Sequence, residues 1–157
     1  MPHLIALPLV DAAPRSFAAM SRLAATVSDE ALAAGIPQRT LELVKLRASL
    51  LNGCTYCIAL HRRDALALGE PAELLDAVER WEGSTMFGVK ERTALALTDA
   101  VTRQGETGGL DADVLRDAAD VWGEARASHL VLAATVINAW NRIGVAAGME
   151  PEDVPAA

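Results

Sequence analysis

The sequence predicts an all-α domain, and three observations lead there. Hydrophobic residues make up 52% of the chain while aromatics make up 4%, so the interior is built mainly from Ala, Leu and Val. Ala and Leu are good helix formers, and a core poor in aromatics suits close helix packing. Apolar residues recur at helical spacing through most of the chain, and nothing reads as a strand ladder. Turn residues fall between these periodic segments, where helices start and stop. With 157 residues, the chain holds one domain with a real core and is short for two.

Taken in order, about seven helices of uneven length are expected. Pro14 to Val27 forms the first, with Phe17, Met20, Leu23 and Ala24 on one face. Ser28-Asp29-Glu30 opens a short second piece that stops at Gly35. Pro37 sits where an N1 proline belongs, and Gln38 to Leu51 continues with Leu41, Val44, Ala48 and Leu51 in register. Asn52-Gly53 ends that helix, because both residues tolerate a left-handed backbone. The next helix begins around Cys54-Thr55 and runs to Leu68, closed by Gly69; another spans Pro71 to Trp81. After a turn near Gly83-Ser84, Val89 to Thr102 is strongly amphipathic, and Gly105 to Leu110 reads as a loop. Asp111 caps a helix to Val121, and Glu124 to Ala147 forms the last and most apolar one. Residues 1–149 thus make the helical domain, and 150–157, polar and proline-bearing, a frayed, flexible tail.

The last helix carries apolar residues over most of its circumference, from Val131 through Ile137 and on to Val145. A helix apolar all round is buried inside something, and a subunit interface is a natural place for the surplus. A homo-oligomer is therefore expected.

Charge and terminal patterning exclude several classes. The net charge is -7, and no basic stripe offers the clustered positive charge that phosphate binding needs, so nucleic acid is not an expected partner. The N-terminal run lacks a basic start and is interrupted by Pro8, unlike a signal peptide. The longest apolar segment, Leu130 to Met149, carries Asn138, Asn141 and Arg142 in its middle and does not read as membrane-spanning. The expected compartment is the cytoplasm. No Gly-rich phosphate loop or nucleotide fingerprint points to an organic cofactor.

The chain's two cysteines fall in NGCTYCIALH, Asn52 to His61. A helix starting near Cys54 sets Cys54 and Cys57 three apart, close enough for a disulfide, and sets Cys57 and His61 one turn apart on one face. At a helix N-terminus, free N–H groups and the macrodipole favour a thiolate, and C-x-x-C settings lower a thiol pKa from about 8.5 to roughly 3.5–7.5. His61 is then a base toward Cys57, or an acid toward a leaving oxygen or sulfur. Such a base is commonly oriented by a carboxylate. Glu42, on the preceding helix folded back by the Asn52-Gly53 turn, is a carboxylate near an apolar surface.

Plainer readings stand beside this one. The cysteines could be two small buried apolar residues. Cys54, Cys57 and His61 could be part of a zinc site, but a closed structural site needs four ligands, and His3 and His129 lie in an N-terminal tail and in a helix far along the chain. Glu42 could be a solvated helix residue paired with Lys45 or Arg39. His129 reads as a structural or interface residue and His3 as a mobile tail residue. Trp140, Asn138 and Asn141 could line a pocket but read more simply as helix-packing groups. Arg62 and Arg63 read as solvated, with a possible part in guiding an anionic partner.

The run ELVKLRASLLNGCTYCIALHRRDALALGE, Glu42 to Glu70, closely resembles the core of the alkylhydroperoxidase D (AhpD-like) family of the carboxymuconolactone decarboxylase superfamily. That signature is a glutamate, eleven intervening residues, a C-x-x-C pair, three more residues and a histidine, and Glu42, Cys54, Cys57 and His61 match it throughout. Glu91 to Thr102 and Ile137 to Ala146 also look like the family. The resemblance implies an all-α, oligomeric fold of dimers or trimers reaching hexamers, and thiol-dependent reduction of peroxides through a disulfide between the two cysteines. It implies Cys57 as the peroxide-attacking thiol, Cys54 as the more exposed resolving thiol, and Glu42 and His61 as the proton relay. An organic hydroperoxide would be the substrate, and an external dithiol or thiol protein the reductant. The motif departs from characterised peroxidase members at Tyr56, where they carry a second relay histidine. A phenol with a pKa near 10 is a poor proton shuttle at neutral pH. Two alternatives remain: a carboxymuconolactone decarboxylase-type lyase, a branch that does not depend on a C-x-x-C pair, and a non-catalytic redox-sensing oligomer.

Overall fold

The computed structural model of the chain describes residues 6–156, which leaves His3 outside. Among the described residues there is no strand. Nine α-helices occur: α1 (Leu9–Ala12), α2 (Pro14–Ala33), α3 (Gln38–Asn52), α4 (Thr55–Ala67), α5 (Ala72–Ala77), α6 (Val89–Thr102), α7 (Gln104–Thr107), α8 (Ala112–Trp122) and α9 (Glu124–Ala146). Two 3-10 segments, Val78–Gly83 and Pro151–Asp153, complete the chain. The all-α expectation holds, and the helices beyond the expected set are short. No helix among these residues is long and apolar enough to cross a membrane.

The architecture is organised around α3 and α9. α3 packs against α4, α6 and α9, while α9 packs against α2, α3, α4, α6 and α8. Because α3 is enclosed on several sides, its apolar residues divide between two cores. Leu41 and Val44 join Val27, Leu97 and Leu130 in one; Leu43 and Leu46 join Leu74, Leu75 and Leu95 in the other. Each such fully buried side chain contributes about 1.5–3 kcal/mol before entropy is counted. The same enclosure buries polar residues of α3, among them Glu42, Arg47 and Ser49, and each must find a partner there.

The apolar circumference of α9 is largely covered within one chain by its five neighbours. Leu132 and Val145 remain exposed on it. Most of the surplus that suggests a subunit interface is therefore accounted for internally.

Several boundaries differ from the sequence reading. α2 runs unbroken through Ser28-Asp29-Glu30 to Ala33, because Val27 and Ala31 bury one face at i, i+4 while Asp29 and Glu30 face solvent. Tertiary burial there outweighs the turn preference of Ser and Asp. The expected helix from Pro71 to Trp81 is α-helical only to Ala77, then turns 3-10 with a kink at Arg80. Two arginines from elsewhere satisfy the carbonyls this releases. Arg47 Nη1 donates to Glu79 O at 2.8 Å, and Arg92 donates to Trp81 O and Ser84 O at 3.1 and 3.0 Å. The expected loop after α6 contains the single turn α7. Where a frayed tail is expected, Pro151–Asp153 forms a turn beside α4, and Arg63 donates to the Pro155 carbonyl.

Candidate active site

The site is built at the α3–α4 hairpin. Gly53 closes α3 in the left-handed conformation, φ +66°, which a Cβ would strain. A polar network ties this turn to α9. Asn52 Nδ2 donates to Ala48 O (2.9 Å) and Asn138 Oδ1 (2.8 Å), and lies 2.9 Å from Asn141 Oδ1. Ser49 Oγ donates to Lys45 O, so it accepts from Asn141 Nδ2 at 2.9 Å, which orients that amide. Asn138 Nδ2 donates to Thr102 Oγ1 and Ala134 O. Asn138 and Asn141 are thus packing groups, as the simpler sequence reading has them.

The next residue, Cys54, is the N-cap of α4, and its Sγ accepts from the Cys57 N–H at 3.3 Å. Cys54 and Cys57 are joined in a disulfide, with 5.3 Å between their Cα atoms. The resemblance implies that Cys54 is the more exposed sulfur; in the single chain both cysteines are buried, Cys54 at 1% and Cys57 at 4% exposure. Cys54 is covered because α9 passes over the N-terminus of α4 at Gly144. A Cβ built on Gly144 would lie 2.9 Å from Cys54 Sγ and 3.5 Å from Cys57 Sγ.

His61, one turn beyond Cys57, is buried, and its Nδ1 lies 2.9 Å from Oε2 of buried Glu42. An ionised carboxylate only accepts hydrogen bonds, so the proton sits on Nδ1, and Nε2 of the neutral ring is the basic nitrogen. The other carboxylate oxygen, Oε1, accepts from Lys45 Nζ at 3.0 Å. Burial pushes the Glu42 carboxyl up, but the hydrogen bond with His61 and the charge of Lys45 more than reverse this, leaving it below its ordinary value. Glu42 is therefore neither solvated nor paired with Arg39, which bridges Glu70 and Glu91 instead.

Cys57 and His61 open onto a cavity of about 340 Å³ between α2, α3, α4 and α9. Its polar side is Ser28, Lys45, Tyr56, Cys57 and His61, and its apolar wall includes Phe17, Val27, Ile137 and Trp140. Phe17 and Trp140 meet edge to face at 5.1 Å, a favourable arrangement for two rings. An apolar enclosure with a few convergent polar groups is the usual form of a small-molecule site.

Glu42, His61 and Asp64 bring three potential metal donors within 4.8 Å of one another. Lys45 and Arg63 already neutralise the two carboxylates, so a divalent ion would have to displace an ammonium and a guanidinium. Arg62 and Arg63 are half-buried and paired with Asp76 and Asp64 on the outer side of α4.

Sequence reasoning assembled the four motif residues but missed Lys45 as a cavity wall and Gly144 as the seat of the sulfurs. Gly144 carried a usable signal: a glycine deep in a helix costs about 0.5–1 kcal/mol relative to alanine and marks close approach. Trp140, which the sequence offers as a possible pocket residue, does line the cavity; the rest of the apolar wall from α2 and α9 had no local signal, since its residues obey the same periodicity as the core.

Comparison with known proteins shows the family and the fold. The carboxymuconolactone decarboxylase family model matches residues 14–100, a span that includes Glu42, both cysteines and His61. The uncharacterized protein YdfG of Bacillus subtilis is 32% identical over 113 residues, covering 72% of this chain and 76% of YdfG. The crystal structure of ATU0492 from Agrobacterium tumefaciens, a protein of unknown function provisionally described as the antioxidant defence protein AhpD, superposes with a TM-score of 0.82. It is 28% identical, and the match covers 92% of this chain and 95% of that one. The chain belongs to the carboxymuconolactone decarboxylase family, as an AhpD-like member.

Proposed function

We propose that this protein is a thiol-dependent peroxidase that reduces organic hydroperoxides, with Cys57 as the attacking thiol and Cys54 as the resolving one. One observation carries the reading: of the disulfide-bonded pair, Cys57 opens onto an apolar cavity beside the buried His61–Glu42 couple. His61 Nε2 takes the Cys57 proton. The thiolate attacks the terminal oxygen of R–O–O–H, the O–O bond breaks, and the departing alkoxide recovers that proton as R–OH. Cys57 is left as a sulfenic acid, and the Cys54 thiol displaces water from it to form the disulfide. An external dithiol then supplies two electrons and two protons by exchange. The sum converts one hydroperoxide and one dithiol to an alcohol, water and a disulfide.

The apolar wall supports an organic substrate over hydrogen peroxide, which gains nothing from burial against Phe17 and Trp140. A homo-oligomer in the cytoplasm belongs to the same proposal. Leu132 and Val145, exposed on α9, are candidates for its interface, and light scattering at working concentration tests it.

The deciding experiment counts free thiols and measures intact mass on reduced, metal-free protein, before and after one equivalent of an organic hydroperoxide. Rapid loss of both thiols, with a disulfide mass and no added oxygen, is the expected result. Survival of both thiols refutes the peroxidase reading for that substrate. Disulfide formation without repeated turnover on a dithiol would instead favour a redox sensor.

A further inference from the structure

The two oxygens of Glu42 are divided between two side chains. Oε2 meets His61 Nδ1 and Oε1 meets Lys45 Nζ. Lys45 lies one turn along α3 from Glu42, and it also lines the cavity with Cys57 and His61. A surface i, i+3 ion pair would carry little meaning, but here the carboxylate is only 4% exposed. An unscreened buried anion behind His61 would oppose a second anion forming on Cys57 in the same low-dielectric pocket.

We propose that Lys45 is a positioning residue that balances the charge of Glu42, so that the Cys57 thiolate forms against a neutral wall rather than an anionic one. This rests on the peroxidase reading only for its kinetic consequence; the effect on ionisation stands without it. The Tyr56 phenol on the same cavity wall adds no positive charge, and Lys45 supplies it from the facing helix.

The groups around Cys57 leave little else to do this. α3 contributes Lys45 and Glu42, and α4 contributes Tyr56 and His61. Asp64, also on α4, lies near Glu42 and His61 but is held by Arg63. The cavity residues from α2 and α9, and Met149 beyond α9, are uncharged. Arg62 is engaged with Asp76 away from the cavity. Lys45 is the cavity's one fixed cation among the described residues.

The test titrates reduced protein carrying Cys54→Ser, so that Cys57 alone contributes thiolate absorbance. Lys45→Met keeps length and helix propensity while deleting the charge, Lys45→Gln is the second neutral variant, and Lys45→Arg restores the charge. The neutral variants should raise the midpoint of thiolate formation by roughly one pH unit, about a tenfold loss of thiolate below both midpoints. Lys45→Arg should return it close to the parent value. In the protein with both cysteines, hydroperoxide-driven disulfide closure should slow by about the same factor at neutral pH and recover at higher pH. A structural role alone would shift the melting temperature and leave the midpoint in place; an unmoved midpoint in both neutral variants overturns the proposal. If the midpoint moves but no hydroperoxide oxidises the protein, the peroxidase reading fails and the role of Lys45 stands.

Discussion

Gly144→Ala tests whether the disulfide is seated on α9. The added methyl would lie 2.9 Å from Cys54 Sγ, whereas comfortable non-bonded contacts begin near about 3.5 Å. Something must yield by roughly half an ångström or more. In the dithiol, Cys54 Sγ is freed from Cys57 and can relieve the clash by changing rotamer. In the disulfide it cannot, so the strain falls mainly on the oxidised form. Overpacking of this kind costs about 1–3 kcal/mol, and about 1.4 kcal/mol corresponds to 30 mV in a two-electron couple. The reduction potential should therefore rise by roughly 20–65 mV. The reduced form should gain slightly in stability, because alanine is the better residue inside a helix by about 0.5–1 kcal/mol. Equilibration in graded thiol–disulfide buffers, with thermal melts of each form, measures both effects. An unchanged potential with equal destabilisation of the two forms refutes the argument, because it would mean that α9 moves and the sulfurs do not.

Three further outcomes follow from the same geometry. Arg47→Met removes a buried guanidinium that holds Asp99 through two nitrogens, at 2.6 and 2.8 Å, and satisfies Glu79 O; urea unfolding should show a loss of about 3–5 kcal/mol, because Asp99 is left uncompensated. Glu42 has a folded pKa below its ordinary value of 4.5, so the unfolded chain binds this proton at higher pH. Its stabilisation is present above the unfolded pKa and is lost as pH falls through the folded one. Glu42→Gln should therefore destabilise near neutral pH, and the difference from the parent should shrink in acid, as urea midpoints across pH will show; a constant difference would contradict the assignment. Trp140→Ala strips the cavity's largest ring and breaks the contact with Phe17, so kcat/KM for a bulky organic hydroperoxide should fall by about tenfold or more while that for hydrogen peroxide changes little.

The fold was legible where its cause is local. Periodic apolar positions mark α3 and α6 because each buries a stripe, and Asp111 marks the start of α8 by accepting from the Asp113 N–H. Illegible features have causes elsewhere in the chain. The 3-10 turn after α5 depends on Arg47, more than thirty residues earlier, and the continuity of α2 depends on what Val27 and Ala31 pack against. The site divides the same way. Cys54, Cys57 and His61 share one helix, whose period sets their spacing. Glu42 needs only the α3–α4 turn to reach His61. The covering of Cys54 depends on α9, some ninety residues on, and a helix N-cap taken alone looks open.

The polar residues buried along α3 connect stability with the proposed chemistry. Enclosed between two cores, this helix has little water available for the side chains of Glu42, Arg47 and Ser49, so each is tied to a different part of the molecule. Arg47 reaches Asp99 on α6, Ser49 reaches Asn141 on α9, and Glu42 reaches His61 on α4. The first two are fully committed to protein partners and act as registration points for their helices. Glu42 differs because His61, its partner, opens onto a cavity and Lys45, its second partner, lines the same wall. A proton moved at His61 Nε2 is therefore felt by a carboxylate that cannot reorient toward solvent, since both its oxygens are held. That rigidity is what a proton relay requires, and α3 supplies it from the packing that stabilises the domain.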